Sequence, residues 1–209
     1  MTLLPEKTVE RLSRYRRLLL RYQYQEKPFI FSGDLANMLH INVAHVRRDL
    51  MLLGATGSRT HGYDVQQLIQ LITQQLHCDE TTPACIIGFG HAGRFALELF
   101  GNETSPVKIA AIFDNSNKSI VKIFEQVPCY SMENLAEIIN RHNISLAILA
   151  DDEIDTDNLI SLLITFGIKG IMNLTSASLH LPEHIALQEF DFTTAMIKLA
   201  YFTKRKNKI

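Results

Sequence analysis

The chain has 209 residues, of which 46% are hydrophobic and 21% charged, and its formal net charge is −1. These values are typical of a globular protein with one large or two small domains, and they exclude a disordered or collagen-like chain. No apolar run reaches the roughly 18 residues of a membrane helix, and the N-terminus lacks a signal-peptide pattern. The three cysteines have no metal or redox spacing, so we expect a reducing, cytoplasmic setting and no metal site. We also expect no membrane association and no catalytic site.

The near-zero net charge conceals an asymmetry between the two ends of the chain. Residues 1–62 contain ten Lys or Arg against five Asp or Glu, a net charge of +5, and the remaining residues contain eleven against seventeen, a net charge of −6. A basic segment joined to an acidic one favours a polyanionic partner for the first segment and a different role for the second.

The basic segment contains three predicted helices. Apolar residues at helical spacing predict an amphipathic helix over 8–22, with Thr8 as its N-cap. Ser32 is placed to cap a second helix over 33–39. A turn at 40–42 leads into a third helix, from 43 or 44 to 53. Two short helices joined by a tight turn, the second of them basic, predict a helix-turn-helix.

The third helix and the segment after it supply the candidate DNA contacts. Val46 and Leu50 lie on the apolar face of the helix, with Val43 and Leu53, and the spacing leaves His45, Arg47, Arg48 and Asp49 outside that face. The glycine-containing segment 54–65 predicts a hairpin wing with Arg59 at its tip. Arg47 and Arg48 are expected in a major groove and Arg59 in a minor groove. The full predicted DNA-contacting set is Arg47, Arg48, Arg59, His45 and Ser32.

A predicted helix over 66–76 and a polar linker over 79–83 separate this segment from a glycine motif. An apolar strand that includes Cys85 leads directly into Gly88-x-Gly90-x-x-Gly93, and a helical pattern follows. In a dinucleotide site the first glycine makes the turn, the second admits the pyrophosphate and the third lets the helix pack on the strand. The phosphates then lie on the amides at the helix N-terminus, where we also place His91, Ala92 and Arg94.

A second predicted strand, over 107–113, ends at Asp114. This places an acid about 20 residues beyond the glycines, where it can accept hydrogen bonds from the adenosine ribose. A carboxylate at that position repels a 2′-phosphate, so the sequence favours NAD(H) over its phosphorylated form. A glycine-rich turn that binds no ligand is the alternative interpretation of the same pattern.

The rest of the chain alternates between strands and helices. Strands are predicted over 127–130, 145–150, 170–173 and 185–187, and helices over 133–141 and 156–166, with a turn at 115–118. This alternation predicts an α/β chain with a doubly wound parallel sheet. An apolar-rich tail helix over 192–201, followed by a basic end, is typical of a segment that packs on a partner subunit.

The order of these elements, together with several short motifs, resembles the Rex family of redox-sensing transcriptional repressors. The resemblance covers nearly the whole chain and is carried by the motifs at 8–12, 46–50, 54–57, 62–65, 88–94, 113–114, 167–173, 181–182 and 190–192. The run Val46-Arg47-Arg48-Asp49-Leu50, followed by Gly62-Tyr63-Asp64-Val65, is the specific part. It implies an N-terminal winged helix-turn-helix domain (1–80), a Rossmann domain that binds NAD(H) (81–190) and a C-terminal dimerisation helix (191–209) exchanged across the dimer.

The resemblance also implies a function. It predicts a homodimeric repressor that binds a palindromic operator when NADH is scarce and leaves it when NADH accumulates, so that the NADH/NAD ratio is the effector. By match, Arg17, Tyr63 and the partner's Asp191 form a hydrogen-bonded trio that links the nicotinamide state to the angle between the DNA-binding domains.

The sequence departs from the family pattern at the nucleotide loops. His91 stands where the family usually has asparagine, and Ser116 and Asn117 stand where an acid and a proline are common. Acids occupy 151–153, and residues 174–177 replace an apolar stretch that contains a proline. The acids either lower NADH affinity or point to solvent. These departures predict either a shifted NADH/NAD selectivity or another ligand.

Three other functions fit parts of the sequence. An NAD-dependent dehydrogenase is disfavoured, because no substrate domain of adequate size and no evident acid–base residue is present. The glycine-containing domain is also compatible with coenzyme A or another nucleotide. The third alternative is a DNA-binding protein that senses no ligand.

Overall fold

The computed structural model describes residues 4–23, 25, 27–101, 105–115, 122–152 and 155–206. The chain divides into two compact units, Met1–Glu80 and Thr81–Ile209, which we call the N-terminal unit and the C-terminal unit. Across the described ranges, every helix is too short or too polar to cross a membrane.

The N-terminal unit has four helices and a two-stranded ribbon. The helices are α1 (Glu6–Gln23), α2 (Ser32–Leu39), α3 (Val43–Leu52) and α4 (Val65–Gln75). Strand β1 (Phe29–Ile30) pairs antiparallel with β2 (Tyr63–Asp64). All four helices contribute buried apolar side chains to one core. The predicted helix-turn-helix is confirmed, because α2 and α3 are joined by only three residues, 40–42.

Three local predictions in this unit are wrong. Helix α1 begins at Glu6, so Thr8 lies inside it as a buried residue instead of capping it. Phe31 is the N-cap residue of α2, and Ser32 is the first helical residue. Asp49, predicted to lie outside the apolar face of α3, is 1% exposed.

The C-terminal unit is built on a seven-stranded sheet. Its strands are β3 (Thr82–Ile87), β4 (Val107–Phe113), β5 (Lys122–Phe124), β6 (Val127–Tyr130), β7 (Leu146–Leu149), β8 (Gly170–Asn173) and β9 (Ala186–Glu189). Their order in the sheet is β5-β6-β4-β3-β7-β8-β9. The six parallel strands, counted in chain order, therefore lie in the order 3-2-1-4-5-6, which is that of a dinucleotide-binding Rossmann sheet.

The sheet differs from the prediction at one edge and at the start of β3. Strand β5 was not predicted, and it pairs antiparallel with β6, so the sheet is not entirely parallel. Thr82 and Pro83, assigned to the linker, belong to β3, because they are in register with Val107 and Lys108 of β4.

Helices cover both faces of this sheet. They are α5 (His91–Phe100), α7 (Thr156–Thr165) and α6 (Leu135–Arg141), which a 3₁₀ turn (Met132–Asn134) precedes. Helix α8 (Phe192–Lys206) follows β9, and residues 192–204 are all exposed. Ala84 and Ile86 of β3 belong to the core that includes residues of α5. Cys85 and Ile87 belong to the core that includes residues of α6 and α7. Successive side chains of β3 therefore point to opposite faces, as a buried central strand requires.

Other predicted boundaries shift by a few residues. The tail helix extends to Lys206, so it includes part of the basic end. The predicted helix over 133–141 begins as the 3₁₀ turn and becomes α-helical at Leu135. Most of the predicted turn at 115–118, with Ser116 and Asn117, lies outside the described residues. Cys85 is fully buried, and burial raises the pKa of its thiol to about 12, which fits a packing role.

Candidate DNA-binding and dinucleotide-binding sites

The outer face of α3 carries the first group of predicted DNA contacts. Arg47, Arg48 and His45 are all exposed. The two arginines line a groove of about 670 Å³ together with Val43, Ala44, Met51, Ala55 and Tyr63. The Nε of Arg47 donates a hydrogen bond to the Oγ of Ser32 at 3.3 Å, so Ser32 supports an arginine where the sequence predicted a helix cap.

The predicted wing forms a short hairpin. Ser58 and Gly62 exchange two backbone hydrogen bonds, of 2.8 and 2.9 Å. Arg59 lies in the turn between them and is exposed. The ring of His61, in the same turn, lies 5.4 Å from the ring of Phe29. The structure therefore places Arg59 at the tip, as predicted.

A buried ionic cluster that sequence reasoning missed anchors α3 to α1. The carboxylate of Asp49 accepts hydrogen bonds from Nε and Nη2 of Arg11 at 2.6 and 2.8 Å, and from the hydroxyl of Tyr15 at 2.8 Å. The Thr8 hydroxyl accepts a further bond from Arg11. The hydrogen bond to Asp49 is the main cause that raises the pKa of Arg11, and burial, then the bond to Asp49, raises the pKa of Tyr15.

The cluster contacts α3 through its buried face and does not involve Arg47 or Arg48 on its exposed face. Asp49 follows Val46 by three residues and precedes Leu53 by four, so helical spacing places it on the buried face. That spacing was the available signal. A carboxylate on an apolar face at this spacing indicates a buried partner, because an unpaired buried charge is strongly unfavourable.

The glycine loop of the C-terminal unit has two sterically closed positions and one open position. At Gly88, with φ of +89°, an added Cβ would lie 2.3 Å from the Cβ of Asp151. At Gly93 an added Cβ would lie 2.1 Å from the Gly88 carbonyl oxygen. Gly90 has no neighbouring atom within 4 Å of such a Cβ. The first and third glycines are therefore required by the fold, and Gly90 faces open space.

The other predicted cofactor residues surround this loop. Gly90 is the N-cap residue of α5, whose first residues are His91 and Ala92. The Arg94 guanidinium lies 5.3 Å from the centre of the Phe89 ring. Asp114 is half-buried at the end of β4, and its Oδ1 accepts a hydrogen bond of 3.3 Å from the Phe89 amide. The loop, the helix N-terminus and the acid are brought together at the carboxyl edge of β3 and β4.

These residues fit a dinucleotide. The space in front of Gly90 is one that a side chain would fill, and the N-terminus of α5 offers amide groups with partial positive charge to a pyrophosphate. Asp114 lies on the strand next to β3, where the adenosine ribose is held in this fold.

The loops after β7 and β8, where residues 151–153 and 174–177 depart from the pattern described above, contact each other. Oδ1 of Asp152, after β7, accepts hydrogen bonds from the backbone amide and the hydroxyl of Ser176, after β8, at 2.6 and 2.8 Å. These bonds lower the pKa of Asp152. Asn173, 2% exposed, orders the same loop through bonds to Thr175 and Ala177.

The residues of the predicted switch lie in different units. Arg17 is exposed on α1 and Tyr63 is half-buried in β2. Both residues are described, and their side chains do not hydrogen-bond to each other. Asp191, in the C-terminal unit, accepts a hydrogen bond from the Thr194 amide at 2.8 Å and so caps α8.

Comparisons with known proteins agree with this architecture. Residues 4–50 match a family model described as "Putative DNA-binding protein N-terminus", and residues 79–177 match the model "CoA binding domain". A crystal structure of RSP, a Rex-family repressor, has a TM-score of 0.86 at 24% identity and covers 99% of this chain and 97% of that one. RSP in complex with β-NAD⁺ and operator DNA has a TM-score of 0.88 at 23% identity and covers 99% and 95%.

Curated relatives extend the similarity over the whole chain. The redox-sensing transcriptional repressor Rex 1 of Enterococcus faecalis is 30% identical over 206 residues, which are 99% of this chain and 95% of that protein. Rex of Bacillus licheniformis is 32% identical over 201 residues (96% and 94%), and Rex of Bacillus subtilis is 31% identical over 201 residues (96% and 93%). All three relatives are redox-sensing transcriptional repressors. The chain belongs to the Rex family of redox-sensing transcriptional repressors.

Proposed function

We propose that this protein is a transcriptional repressor that binds palindromic operator DNA as a homodimer and leaves the operator when NADH binds. The observation that carries the proposal is the joining, in one Rex-family chain, of an exposed basic recognition helix to a sheet with Rossmann strand order and an open glycine loop.

The DNA contacts are assigned to the exposed residues of the N-terminal unit. Arg47 and Arg48 reach base edges or phosphates from α3, since a guanidinium matches the two acceptors of guanine. Arg59 enters the minor groove from the wing. His45 contributes from the exposed face of α3, and Ser32 supports Arg47 through the bond between their side chains.

NAD(H) is assigned to the glycine loop of the C-terminal unit. The Gly90 position admits the pyrophosphate, and the amides of His91 and Ala92 face it from the start of α5. Gly88 and Gly93 keep the turn closed, and the Arg94 guanidinium lies over the Phe89 ring. Asp114 binds the adenosine ribose. The nucleotide acts as an effector, and no reaction of its nicotinamide ring is part of the mechanism.

The homodimer is assigned to α8. Large apolar side chains along this helix are exposed, among them Met196, Ile197, Leu199 and Phe202 at 58–64%. Phe95 and Leu99 of α5 are 46% and 49% exposed and line an apolar groove of about 230 Å³ with Met172, Leu174 and Phe190. A second copy of α8 would cover such a surface.

The switch then works as a shift of population between two dimer arrangements. NADH can change DNA binding only by the difference in its affinity for these arrangements. A few kcal/mol is enough to move the two recognition helices off the spacing of one DNA turn. We assign the coupling to Arg17, Tyr63 and the Asp191 carboxylate, with Asp191 contributed across the dimer.

The same proposal assigns no enzymatic activity to the chain and places it in the cytoplasm, where bacterial operator DNA lies. Coenzyme A is the second candidate ligand, because residues 79–177 match a family model for its binding. The two ligands share an adenosine and a pyrophosphate, so the glycine loop alone does not separate them. The nicotinamide does, because coenzyme A lacks it.

The test is a fluorescence-anisotropy titration of purified protein on a labelled palindromic operator at fixed salt. NADH, NAD⁺ and coenzyme A are added separately. Release by NADH, at concentrations where NAD⁺ has little effect, is the expected result. Gly90→Ala is expected to bind DNA normally and to resist NADH, and Gly33→Ala, another open glycine position, serves as the control. DNA binding that ignores NADH, or that responds only to coenzyme A, contradicts the proposal.

A further inference from the structure

A polar pocket of about 580 Å³ lies at the carboxyl ends of β7, β8 and β9. Three carboxylates line it, those of Asp152, Glu189 and Asp191. A dinucleotide bound to a Rossmann sheet spans the point where the strand order reverses, here between β3 and β7. With the adenosine beside Asp114 at the end of β4, the nicotinamide half extends past β3 towards β7, β8 and β9. The pocket therefore lies on the side that receives the nicotinamide.

Asp152 is fixed in this pocket as an ionised group. Two donors from Ser176, the backbone amide and the hydroxyl, bond to the same carboxylate oxygen. The Ser176 loop is itself held by the buried Asn173 side chain, which accepts from the amide and hydroxyl of Thr175 and donates to the carbonyl of Ala177. The carboxylate therefore lines the pocket from a defined position, although the side chain is solvent-exposed.

We infer that the carboxylates of this pocket, Asp152 above all, raise the affinity for NAD⁺ relative to the affinity for NADH. The two cofactor forms share all their phosphates and sugars, and they differ in that the oxidised ring carries a positive charge and the reduced ring is neutral. A fixed carboxylate attracts only the cationic ring. The inference rests on the proposed function, because only the dinucleotide on the glycine loop brings a nicotinamide to this pocket.

The consequence is a change in the NADH/NAD ratio at which the repressor leaves its operator. NAD⁺ and NADH compete for one site, so stronger NAD⁺ binding raises the NADH/NAD ratio that is needed to release the operator. The sequence left two outcomes open for the acids at 151–153. They either lower NADH affinity or point to solvent, and Glu153 lies outside the described residues. Asp152 is exposed but is held at the pocket by Ser176, and the inference assigns it a lower NADH affinity relative to NAD⁺.

The test compares dissociation constants for NAD⁺, NADH and ADP-ribose, measured by calorimetry on the full chain at fixed salt. Asp152→Asn keeps the size of the side chain and removes its charge. We expect it to lower the ratio of NAD⁺ affinity to NADH affinity by about fivefold, the upper range for an exposed charge pair, and to leave ADP-ribose binding unchanged. Glu189→Gln is expected to change the same ratio less, and Glu133→Gln, an exposed acid outside the pocket lining, not at all.

Each outcome separates this inference from the proposed function. A ratio that stays constant in Asp152→Asn and Glu189→Gln, while all three ligands bind, overturns the inference alone. An equal loss of NAD⁺ and NADH affinity also overturns it, because a purely structural role for Asp152 would have that effect. Failure of the wild-type protein to bind any of the three ligands overturns the proposed function, and the inference with it. Added salt should lower the ratio of NAD⁺ affinity to NADH affinity in the wild type, and should lower it less in Asp152→Asn.

Discussion

The two units form their candidate sites from different groups of the protein, one from side chains and the other from main chain. In the N-terminal unit the site consists of long exposed side chains, such as those of Arg47, Arg48 and Arg59. In the C-terminal unit it consists of main chain, at a loop where Gly88 and Gly93 leave no room for a Cβ. DNA contacts can therefore change without disturbing the fold, whereas the nucleotide loop and the fold depend on the same residues.

Their interiors differ in the same way. Among the described residues, the buried polar side chains of the N-terminal unit are Thr8, Ser32 and Asp49, and that of the C-terminal unit is Asn173. In the N-terminal unit the Asp49 cluster joins α1 to α3. The larger unit obtains its register from the strand pairing of its sheet. One unit thus combines exposed candidate site residues with an apolar core that includes a buried ion pair, and the other combines a sterically constrained site with an almost entirely apolar core.

The largest expected effect is in the buried ionic cluster around Asp49. Asp49→Ala leaves the Arg11 guanidinium and the Tyr15 hydroxyl without their shared partner, and we expect a loss of about 3–5 kcal/mol in the free energy of unfolding. Urea denaturation followed by circular dichroism measures it. Arg141→Ala, which breaks the exposed pair with Glu137, is the matched control and should cost less than about 0.5 kcal/mol. Equal effects of the two variants would mean that the buried cluster does not stabilise the unit.

The next effect tests whether the fold requires Gly93 and whether nucleotide binding requires Gly90. Gly93→Ala forces a methyl group against the Gly88 carbonyl, and we expect a loss of about 2 kcal/mol in unfolding free energy. Gly90→Ala, three residues earlier, is expected to leave the melting temperature unchanged and to weaken NADH binding by about tenfold or more, equivalent to ~1.4 kcal/mol. Thermal melts and calorimetry separate the two. A Gly90 variant that unfolds early but binds NADH normally would reverse this assignment.

The sequence predicts the elements of both units well, since local signals determine them. Strand β4 and strand β8 have the predicted bounds, 107–113 and 170–173. Helices and buried strands carry their periodicity in the side chains themselves. The predicted positions of Arg47, Arg48, Arg59 and the glycine loop agree with the structure for the same reason, and their roles in binding stay predictions.

The features that the sequence did not predict depend on distant partners. The helical spacing of Asp49 indicates a buried position, but its partner Arg11 lies 38 residues earlier and is not evident from the local pattern. Strand β5 has only three residues and is defined by its pairing with β6. The bonds between Asp152 and Ser176 span 24 residues and join two loops that local patterns treat as unrelated. Ser32 fits a helix cap by residue type, but Phe31 occupies the cap position.

A smaller effect tests whether the proposed DNA contacts of α3 can be removed without loss of stability. Arg47→Ala and Arg48→Ala are each expected to weaken operator binding by about 1–3 kcal/mol where the contact is to a base, or to reduce the salt dependence by about one unit where it is to a phosphate. Their unfolding free energies should stay within about 0.5 kcal/mol of wild type. Anisotropy titrations at several salt concentrations measure the first effect, with Arg141→Ala as the control. Unchanged operator affinity in both variants would remove α3 from the proposed interface.

The smallest expected effect is the pH dependence that Asp152 gives to the free energy of unfolding. Because the Ser176 bonds lower the pKa of Asp152 below its ordinary value of 3.8, the ionised carboxylate stabilises the folded state above that value. This contribution is lost as the pH falls through the lowered pKa. The side chain is exposed and solvent screens it, so we expect at most about 0.5 kcal/mol. The difference in unfolding free energy between wild type and Asp152→Asn, measured from pH 6 to pH 3, should shrink on acidification. A difference that grows instead would mean that the protonated carboxyl group makes the stronger contact with Ser176.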